Sequence, residues 1–557
     1  MEARVRGAAI LFPLITSAIA RAGGLEPDDL PPPQPEVVGH PARVEPPAIP
    51  PFTLPVGRPG FHGPRELRVR GAPLLGTKLK VEGYVTWIYD CAEALARTQP
   101  HKARADLLVS IDEDPRQCER PRFYLGDTPN TPSDVSIWIV DVPRKPAKPE
   151  RFAMTNEERH AWPAVPKLAI GDHVVVTGTW ATESPHGERN TTGLLVYEAL
   201  EHVLPGADPP TRAAPAAPPA VEAPEPVLAV AGKPPMHRII DTTIRNRSVD
   251  HLNACTRANA AGLHERAIAE CQAAAAAWDE NHLAWYGLAS AHIARHAWVE
   301  ARDAAERAVA LRPDRAMYQL YHGLALYEAE RERARGRAVS HQDHEAGLDA
   351  SQRSVQTLDA QALEAAHAAL WRAARLAPEL WRAHYYLGRV YIERDEPARA
   401  AEQLGETVRH NPGFRPGYIA LIELYRQWDY LDQALAVAML GIAHVAQADA
   451  GQLWDEAGMV HAGRRADGPA LEAFTRAIAA NPGDAAAKLG RGQVYFRKGD
   501  LASARRDLEA VAGSKDPALA PIQPFVVQLL QLIARKEKPP EMLFNVCRGR
   551  TIDCRKD

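Results

Sequence analysis

Residues 381–412 read WRAHYYLGRVYIERDEPARAAEQLGETVRHNP, and this stretch decides the fold of the second half of the chain. Apolar side chains recur three and four residues apart, which predicts two amphipathic helices. The small residues Gly388 and Ala400 lie one on each predicted helix, so we expect the two helices to cross there. Pro412 ends the second helix because proline cannot continue one.

The same pattern recurs along the chain with a period of about 34 residues, which is the length of one helix–turn–helix repeat. Pro378 and Pro412 are separated by one such period, and so are Ala267 and Ala301. Ordinary alanine-rich helices do not predict a fixed register, whereas stacked repeats do. Matching positions occur in four further units. The second unit carries Trp285, Leu288, Ala301, Ala308 and Pro313, and the fifth carries Tyr418, Leu421, Tyr425 and Ala434. The sixth carries Trp454, Gly458, Ala470, Phe474 and Pro482, and the seventh carries Gly492, Tyr495, Gly499 and Ala504.

This register resembles that of tetratricopeptide repeats, which pair two helices per unit. The resemblance implies an all-α superhelical solenoid of about seven units over residues 241–517. Residues 518–557 are expected to form a capping helix, near 522–535, and a basic tail. The third unit is too long for the repeat period, which predicts an insertion near 328–358 that forms either two lengthened helices or a disordered loop.

The resemblance also implies where a ligand binds, because the family uses first-helix residues on the concave face. The ligand it favours is a protein segment, extended or helical, since the lysine and asparagine set that clamps a C-terminal carboxylate in chaperone-binding members is absent. By register the partner-binding residues are Tyr286, Ser290, Tyr385, Arg389, Ile419, Glu423, Leu489, Gln493 and Arg497.

Residues 64–204 form a separate module that is predicted to be mainly β. Short apolar runs alternate in strand fashion and indicate a small barrel or sandwich; they are 77–89, 107–111, 123–125, 135–140, 174–180 and 194–200. Two stretches, 76–85 and 168–180, resemble the first and a late strand of the OB-fold family. The chain is therefore predicted to be multidomain, with an OB-like barrel joined to the solenoid by a Pro-rich linker.

Four aromatic residues of the module have two interpretations. Trp87, Tyr89, Trp138 and Trp180 stack on bases or sugars if they are exposed, or belong to the core if they are buried. Trp87 shares the alternation of Val81 and Val85, which favours the core for it.

The N-terminal end is predicted to be a signal peptide over residues 1–20. Arg4 and Arg6 precede a short apolar run, and Ala18-Ile19-Ala20 has the small-x-small pattern of a cleavage site. The alternatives are a short buried helix or a misassigned start codon, and a cytoplasmic location for the protein. Pro-rich composition predicts extended linkers over residues 21–63 and 205–240, and no other apolar run reaches the roughly 18 residues of a membrane span.

Six cysteines fall into three pairs that are local in sequence, and no CxxC zinc pattern occurs among them. This usage favours disulfides in an oxidising compartment, and the alternative is six reduced thiols. The repeat register implies that Cys255 and Cys271 face each other across the two helices of the first unit. The candidate pairs are Cys91 with Cys118, Cys255 with Cys271, and Cys547 with Cys554.

The sequence offers no convincing catalytic or cofactor site. The net charge is −4, without the basic excess typical of nucleic-acid binding. Residues 71–78 approach a phosphate-binding loop but have the wrong residue order, and His341, His344 and Glu345 are better read as solvated than as metal ligands. We therefore predict a non-enzymatic scaffold without metal or cofactor, exported to the periplasm or cell envelope. The alternatives are a carbohydrate- or nucleic-acid-binding OB-like module with a solenoid for assembly, and an enzyme whose site lies in the β module.

Overall fold

The structure is a computed structural model that describes residues 44–55, 58–99, 101–132, 135–186, 189–203, 241–344, 358–514, 519 and 522–535. The predicted signal peptide, the 205–240 linker, the basic tail and the Cys547–Cys554 pair lie outside these residues, as do the side chains of His341, His344 and Glu345. The chain divides into two compact bodies. The repeat body contains residues 241–329 and 364–378, and the mixed body contains the remaining described residues.

Five strands of the mixed body form one mixed sheet, and they are β1 (Lys78–Ile88), β2 (Phe123–Gly126), β3 (Ile137–Val140), β4 (His173–Glu183) and β5 (Arg189–His202). The strand order is β1-β2-β3-β5-β4, and β4 pairs back onto β1, so the pairing closes on itself. The β3–β5 pair is parallel and the other four pairs are antiparallel. Alternate residues such as Val81, Leu125, Ile139 and Trp180 point inward and form one apolar core.

The helices of this module are α1 (Pro64–Arg70), α2 (Cys91–Thr98), α3 (Arg104–Glu113), α4 (Lys148–Ala153) and α5 (Asn156–Ala161). The predicted strand at 107–111 is wrong, because these residues belong to α3. Leu107 is fully buried while Leu108 and Val109 are exposed. A short apolar run does not distinguish a strand from a helix by its pattern alone.

The prediction that Trp87 belongs to the core is also wrong, and a β-bulge explains why. Val85 pairs with Leu125, but Trp87 pairs with Tyr124, so Thr86 is an extra residue in β1. One extra residue reverses the alternation of the strand. Trp87 therefore leaves the core and stacks on Tyr124 on the outer face of the sheet.

The helical part continues as antiparallel pairs. The repeat body has α6 (Thr242–Ala260), α7 (His264–Ala277), α8 (His282–Ala294) and α9 (Trp298–Leu311), with the first part of α10 (Ala316–His344) and most of α11 (Ala360–Leu376). The mixed body has α12 (Trp381–Glu393), α13 (Pro397–His410), α14 (Arg415–Gln427), α15 (Leu431–His444), α16 (Ala450–Gly463), α17 (Asp467–Ala480), α18 (Ala485–Lys498), α19 (Leu501–Ala512) and α20 (Gln523–Ala534).

The small residues stand where the helices of a pair cross, as the sequence predicts. A Cβ added to Gly388 on α12 would come within 2.8 Å of Leu404 Cγ on α13. A Cβ on Gly458 of α16 would come within 2.7 Å of the Phe474 ring on α17. The predicted cap is α20, whose Val526, Leu529 and Ile533 join the core of the last pair. The predicted insertion begins as a continuation of α10, which runs on to His344.

Two of the three expected cysteine pairs are disulfides in the structure. Cys255 on α6 and Cys271 on α7 are fully buried, with their Cα atoms 5.2 Å apart. Cys91, the first residue of α2, forms a disulfide with Cys118, and their Cα atoms are 5.5 Å apart. This bridge links the two ends of the helical segment that connects β1 to β2. The first bridge joins the two helices of one pair, and the second spans α2 and α3.

In six pairs, the first helix ends in the same hydrogen-bonded turn. One residue adopts the left-handed conformation, and the amide of the next residue donates to the carbonyl five residues earlier at 2.8–3.0 Å. This is the Schellman motif, in which glycine is usual at the left-handed position. Here the left-handed residues are Gly262, His296, Asp395, Asp429, Arg465 and Gly499.

Candidate interaction surfaces

Two of the predicted partner-binding residues lie in the repeat body, and both are buried. Tyr286 packs its ring against Tyr318 at 4.8 Å and against Tyr321 at 5.0 Å. Ser290 is only 2% exposed. Neighbouring first helices thus fill this face with aromatic side chains, and Tyr286 and Ser290 take part in that packing.

The predicted residues of the last pair are also largely committed to packing. Leu489 and Gln493 are buried on α18. Arg497 is half-buried, donates to the carbonyl of Ala462 at 3.1 Å and forms an ion pair with Asp467. The arginine therefore ties α18 to the preceding pair.

The accessible part of the predicted face lies on α12 and α14. Arg389 Nη1 donates to Tyr385 Oη at 3.4 Å, and both side chains are half-buried. On α14, Ile419 is half-buried and Glu423 is exposed. Residues four apart on a helix share a face. Tyr385 with Arg389, and Ile419 with Glu423, therefore each present one polar group beside an apolar or aromatic one.

A second candidate surface is a row of three stacked aromatic rings on the outer face of β1, β2 and β3. The ring centroids of Trp87 and Tyr124 are 4.6 Å apart, and those of Tyr124 and Trp138 are 5.8 Å apart. Trp87 and Trp138 are half-buried and cover Tyr124 between them. We call these residues the aromatic row. Of the other two aromatics, Trp180 is a core residue, and Tyr89 stacks with the Arg122 guanidinium at 5.1 Å.

Helix α1 docks the β module onto the solenoid part of the mixed body. Arg68 pairs with Asp429 at 2.7 Å, and Arg70 pairs with Asp395 at 2.6 Å. Both aspartates are the left-handed residues of successive Schellman turns. The two modules are thus in contact, whereas the sequence suggested only a tether between them.

Trp428 and Arg65 complete this docking contact. Arg65 donates to the carbonyl of Trp428 at 2.8 Å, and its guanidinium lies 5.7 Å from the Tyr430 ring. Arg70 lies over the Trp428 ring at 5.3 Å, and Gln427 donates to the Val69 carbonyl at 3.1 Å.

The sequence contains one feature that could have indicated this docking contact, namely the two aspartates one repeat period apart. Nothing in the local sequence, however, links them to arginines in another module.

Residues 44–55, which we call the strap, also lie on the solenoid. They fall within the predicted 21–63 linker, yet Val44 and Phe52 are buried. The Phe52 ring contacts three aromatic rings of the α14–α15 region, and Glu45 pairs with Arg409 on α13 at 3.1 Å. The composition that predicted a free linker overlooked the apolar residues between the prolines.

Burial perturbs two tyrosines next to these contacts. It raises the pKa of the Tyr425 phenol to about 12, and it does the same to Tyr418. Both phenols therefore stay neutral over the ordinary pH range. Among the described residues, no three histidine, cysteine or carboxylate side chains are grouped so as to hold a metal ion, and no described helix has the length and apolarity to cross a membrane.

The sequence profile of the tetratricopeptide repeat matches residues 257–316 and 469–519. The matched segments cover parts of the first three units and of the last two. The repeat register predicted from the sequence is thereby confirmed in these segments. Comparison with curated proteins gives no match.

Many solved structures are similar to this chain. A tetratricopeptide repeat protein from Parabacteroides merdae has 12% identity and a TM-score of 0.36, with 52% of this chain and 99% of that chain covered. MamA has 18% identity and a TM-score of 0.28, with 36% and 92% covered. PilW, described as a type IV pilus biogenesis factor, has 15% identity and a TM-score of 0.33, with 44% and 96% covered.

Proposed function

We propose that this protein is a non-catalytic scaffold whose solenoid binds a protein partner through the accessible first-helix face on α12 and α14. Tetratricopeptide-repeat proteins are in general protein–protein interaction scaffolds. The supporting observation is that Tyr385, Arg389, Ile419 and Glu423 stay accessible, whereas the predicted residues Tyr286, Ser290, Leu489 and Gln493 are buried. An apolar residue beside a polar one on each turn suits a protein segment that is extended or helical.

The proposal is tested by site-specific photo-crosslinking in the native host. A crosslinking residue at position 423 should capture one defined protein, and Arg389→Glu should reduce that product at least tenfold. The matched control is Arg505→Glu, which makes the same charge change at an exposed site on α19. A crosslinked product that is equally abundant in both variants would show that the partner binds elsewhere.

The site of action that we propose is the periplasm or cell envelope. Two disulfides support it, because disulfides persist mainly in oxidising compartments. Mass spectrometry of the alkylated native protein should find Cys91, Cys118, Cys255 and Cys271 protected and the N-terminal segment removed. Four reactive thiols in freshly isolated protein would place it in a reducing compartment instead.

A second candidate function belongs to the β module, which we propose to be an OB-like barrel. The closed strand order with a parallel β3–β5 pair supports this assignment. The aromatic row favours a ligand with flat faces, either sugar rings or unstacked bases. Titration of oligosaccharides and single-stranded oligonucleotides should quench part of the tryptophan fluorescence of the protein, and Trp138→Ala should abolish that quenching. The exposed Phe152 is a control, since Phe152→Ala should leave the quenching unchanged.

A further inference from the structure

The strap, VEPPAIPPFTLP over residues 44–55, lies on the solenoid with alternating exposure. Pro50 and Phe52 are buried, whereas Pro51 and Thr53 are exposed. This alternation over residues 50–53 presents one side of the segment to the surface, and the chain turns at Phe52 itself, which has a left-handed φ of 47°. Among the described residues, no backbone hydrogen bond joins the strap to another segment. The strap is thus held by its side chains.

The receiving surface is an aromatic cleft formed by Tyr425, Trp428 and Tyr430. The Phe52 ring stacks on Tyr425 at 5.9 Å and meets the edges of Trp428 and Tyr430 at 5.3 and 5.4 Å. Stacked and edge-to-face arrangements at these distances are favourable for aromatic pairs. One phenylalanine therefore occupies a three-sided pocket on the solenoid.

Two further contacts fix the direction of the strap. Pro46 lies next to Gly405 on α13, because a Cβ added to this glycine would be 3.7 Å from the Pro46 ring, an ordinary van der Waals contact. Glu45 pairs with Arg409 on the next turn of the same helix. The contacts form a pattern of an acidic residue, a proline and an aromatic anchor, at positions 45, 46 and 52.

We propose that this cleft, with Gly405 and Arg409, is a binding site for Pro-rich peptide segments that carry one aromatic anchor, and that the strap is its ligand within the same chain. Proline fixes φ, so the prolines at 46, 47, 50 and 51 limit the conformations of the free segment and reduce the entropy it loses on docking. Covalent linkage gives the strap an effective concentration in the millimolar range. A separate peptide of the same kind therefore binds only by displacing the strap.

The alternative is that the strap is an inseparable part of the mixed body's core. The ligand hypothesis and the core hypothesis predict different results when the chain is cut between the strap and the β module. A ligand stays bound reversibly and exchanges with free peptide. A core element either cannot be exchanged for free peptide or, when it is removed, the neighbouring helices unfold.

The experiment uses the full chain with a protease site in place of Val56 and Gly57. After cleavage, we expect the N-terminal fragment to remain with the protein in size-exclusion chromatography. The synthetic peptide of residues 44–55, added in excess, should displace it. Phe52→Ala should release the fragment at least tenfold faster. Ile49→Ala is the matched control, because Ile49 is an apolar residue of the same strap that is 46% exposed, and it should have no effect.

Several results would overturn the proposal. One is immediate loss of the wild-type fragment on cleavage, and another is equal retention of the Phe52→Ala and wild-type fragments. Failure of millimolar peptide to exchange with the fragment would show a permanent core element. Loss of helical circular dichroism together with the fragment would lead to the same conclusion. The variants in this test are all in the strap and change none of the proposed partner-binding residues Tyr385, Arg389, Ile419 and Glu423, so the two proposals fail independently.

Discussion

The turns after α12 and α14 can be compared with those after α8 and α16, because all four have the same backbone. Each ends its helix in a Schellman turn with a left-handed, non-glycine residue. Asp395 and Asp429 receive arginines from α1. His296 and Arg465 occupy the equivalent positions and are exposed, as Asp395 is, whereas Asp429 is half-buried.

The difference shows that the repeat determines the backbone of the turn, while the side chain determines whether the turn is a docking point. In each of these four pairs the left-handed residue follows directly after the C-cap residue of the first helix. Two aspartates one repeat period apart therefore provide two anionic points on neighbouring turns. Helix α1 matches them with Arg68 and Arg70, which lie on adjacent parts of one short helix.

The largest expected effect comes from removing the aromatic residue that precedes Asp429. Trp428→Ala should lower the free energy of unfolding of the mixed body by about 3–5 kcal/mol, as for other buried tryptophans. The side chain is 1% exposed and contacts both Phe52 and the Arg70 guanidinium. Urea unfolding followed by far-UV circular dichroism measures the change.

Lys498→Ala is the control for this prediction, because Lys498 holds the same place before the left-handed Gly499 of a turn that does not contact α1. It is exposed, so its replacement should change stability by no more than about 0.5 kcal/mol. Similar losses in the two variants would mean that the turn position itself, and not the docking, makes Trp428 important.

The two docked turns should differ from each other in a pair of double-mutant cycles. Arg68 and Asp429 are 14% and 24% exposed, whereas Arg70 and Asp395 are 43% and 47% exposed. We expect a coupling energy of about 1.5 kcal/mol for the first pair, since a charged hydrogen bond is stronger when shielded from water. The second pair should give about 0.5 kcal/mol or less and weaken with added salt. Equal coupling energies would contradict the distinction.

The sequence predicts local features of this molecule well and distant contacts poorly. Gly388 and Ala400 reveal their crossing because their spacing is part of a repeat, and the register places Cys255 opposite Cys271. The bulge at Thr86 has no local signature, so the alternation predicts the wrong face for Trp87. The Arg68–Asp429 pair joins residues 361 positions apart, and no periodicity relates an arginine of one module to a turn of the other.

Glycine substitutions at the left-handed residues should change the free energy of unfolding in opposite directions for turns that contact α1 and for the other turns. His296→Gly should raise the free energy of unfolding by about 0.5–1 kcal/mol, since glycine relieves the left-handed strain at an exposed site and loses some of that gain to unfolded-chain entropy. Asp429→Gly relieves the same strain but removes the ion pair with Arg68, so it should be destabilising. Thermal unfolding of the two variants measures both effects. Stabilisation by Asp429→Gly would show that the ion pair contributes less than the strain.

The smallest effect is expected where α1 meets the β module. Asp127 Oδ1 accepts from the Arg65 amide at 3.2 Å, and burial raises the pKa of the Asp127 carboxyl despite the nearby Arg68 and Arg65 charges. A carboxyl with a raised folded pKa makes the fold less stable above that pKa than below the unfolded value. Asp127→Asn should therefore stabilise slightly at pH 7, by less than any change above, because the amide oxygen still accepts from Arg65. The gain should shrink as the pH falls through the raised pKa and vanish below the unfolded value of 3.8. A gain that is independent of pH would mean that the carboxylate charge is already compensated by the α1 arginines.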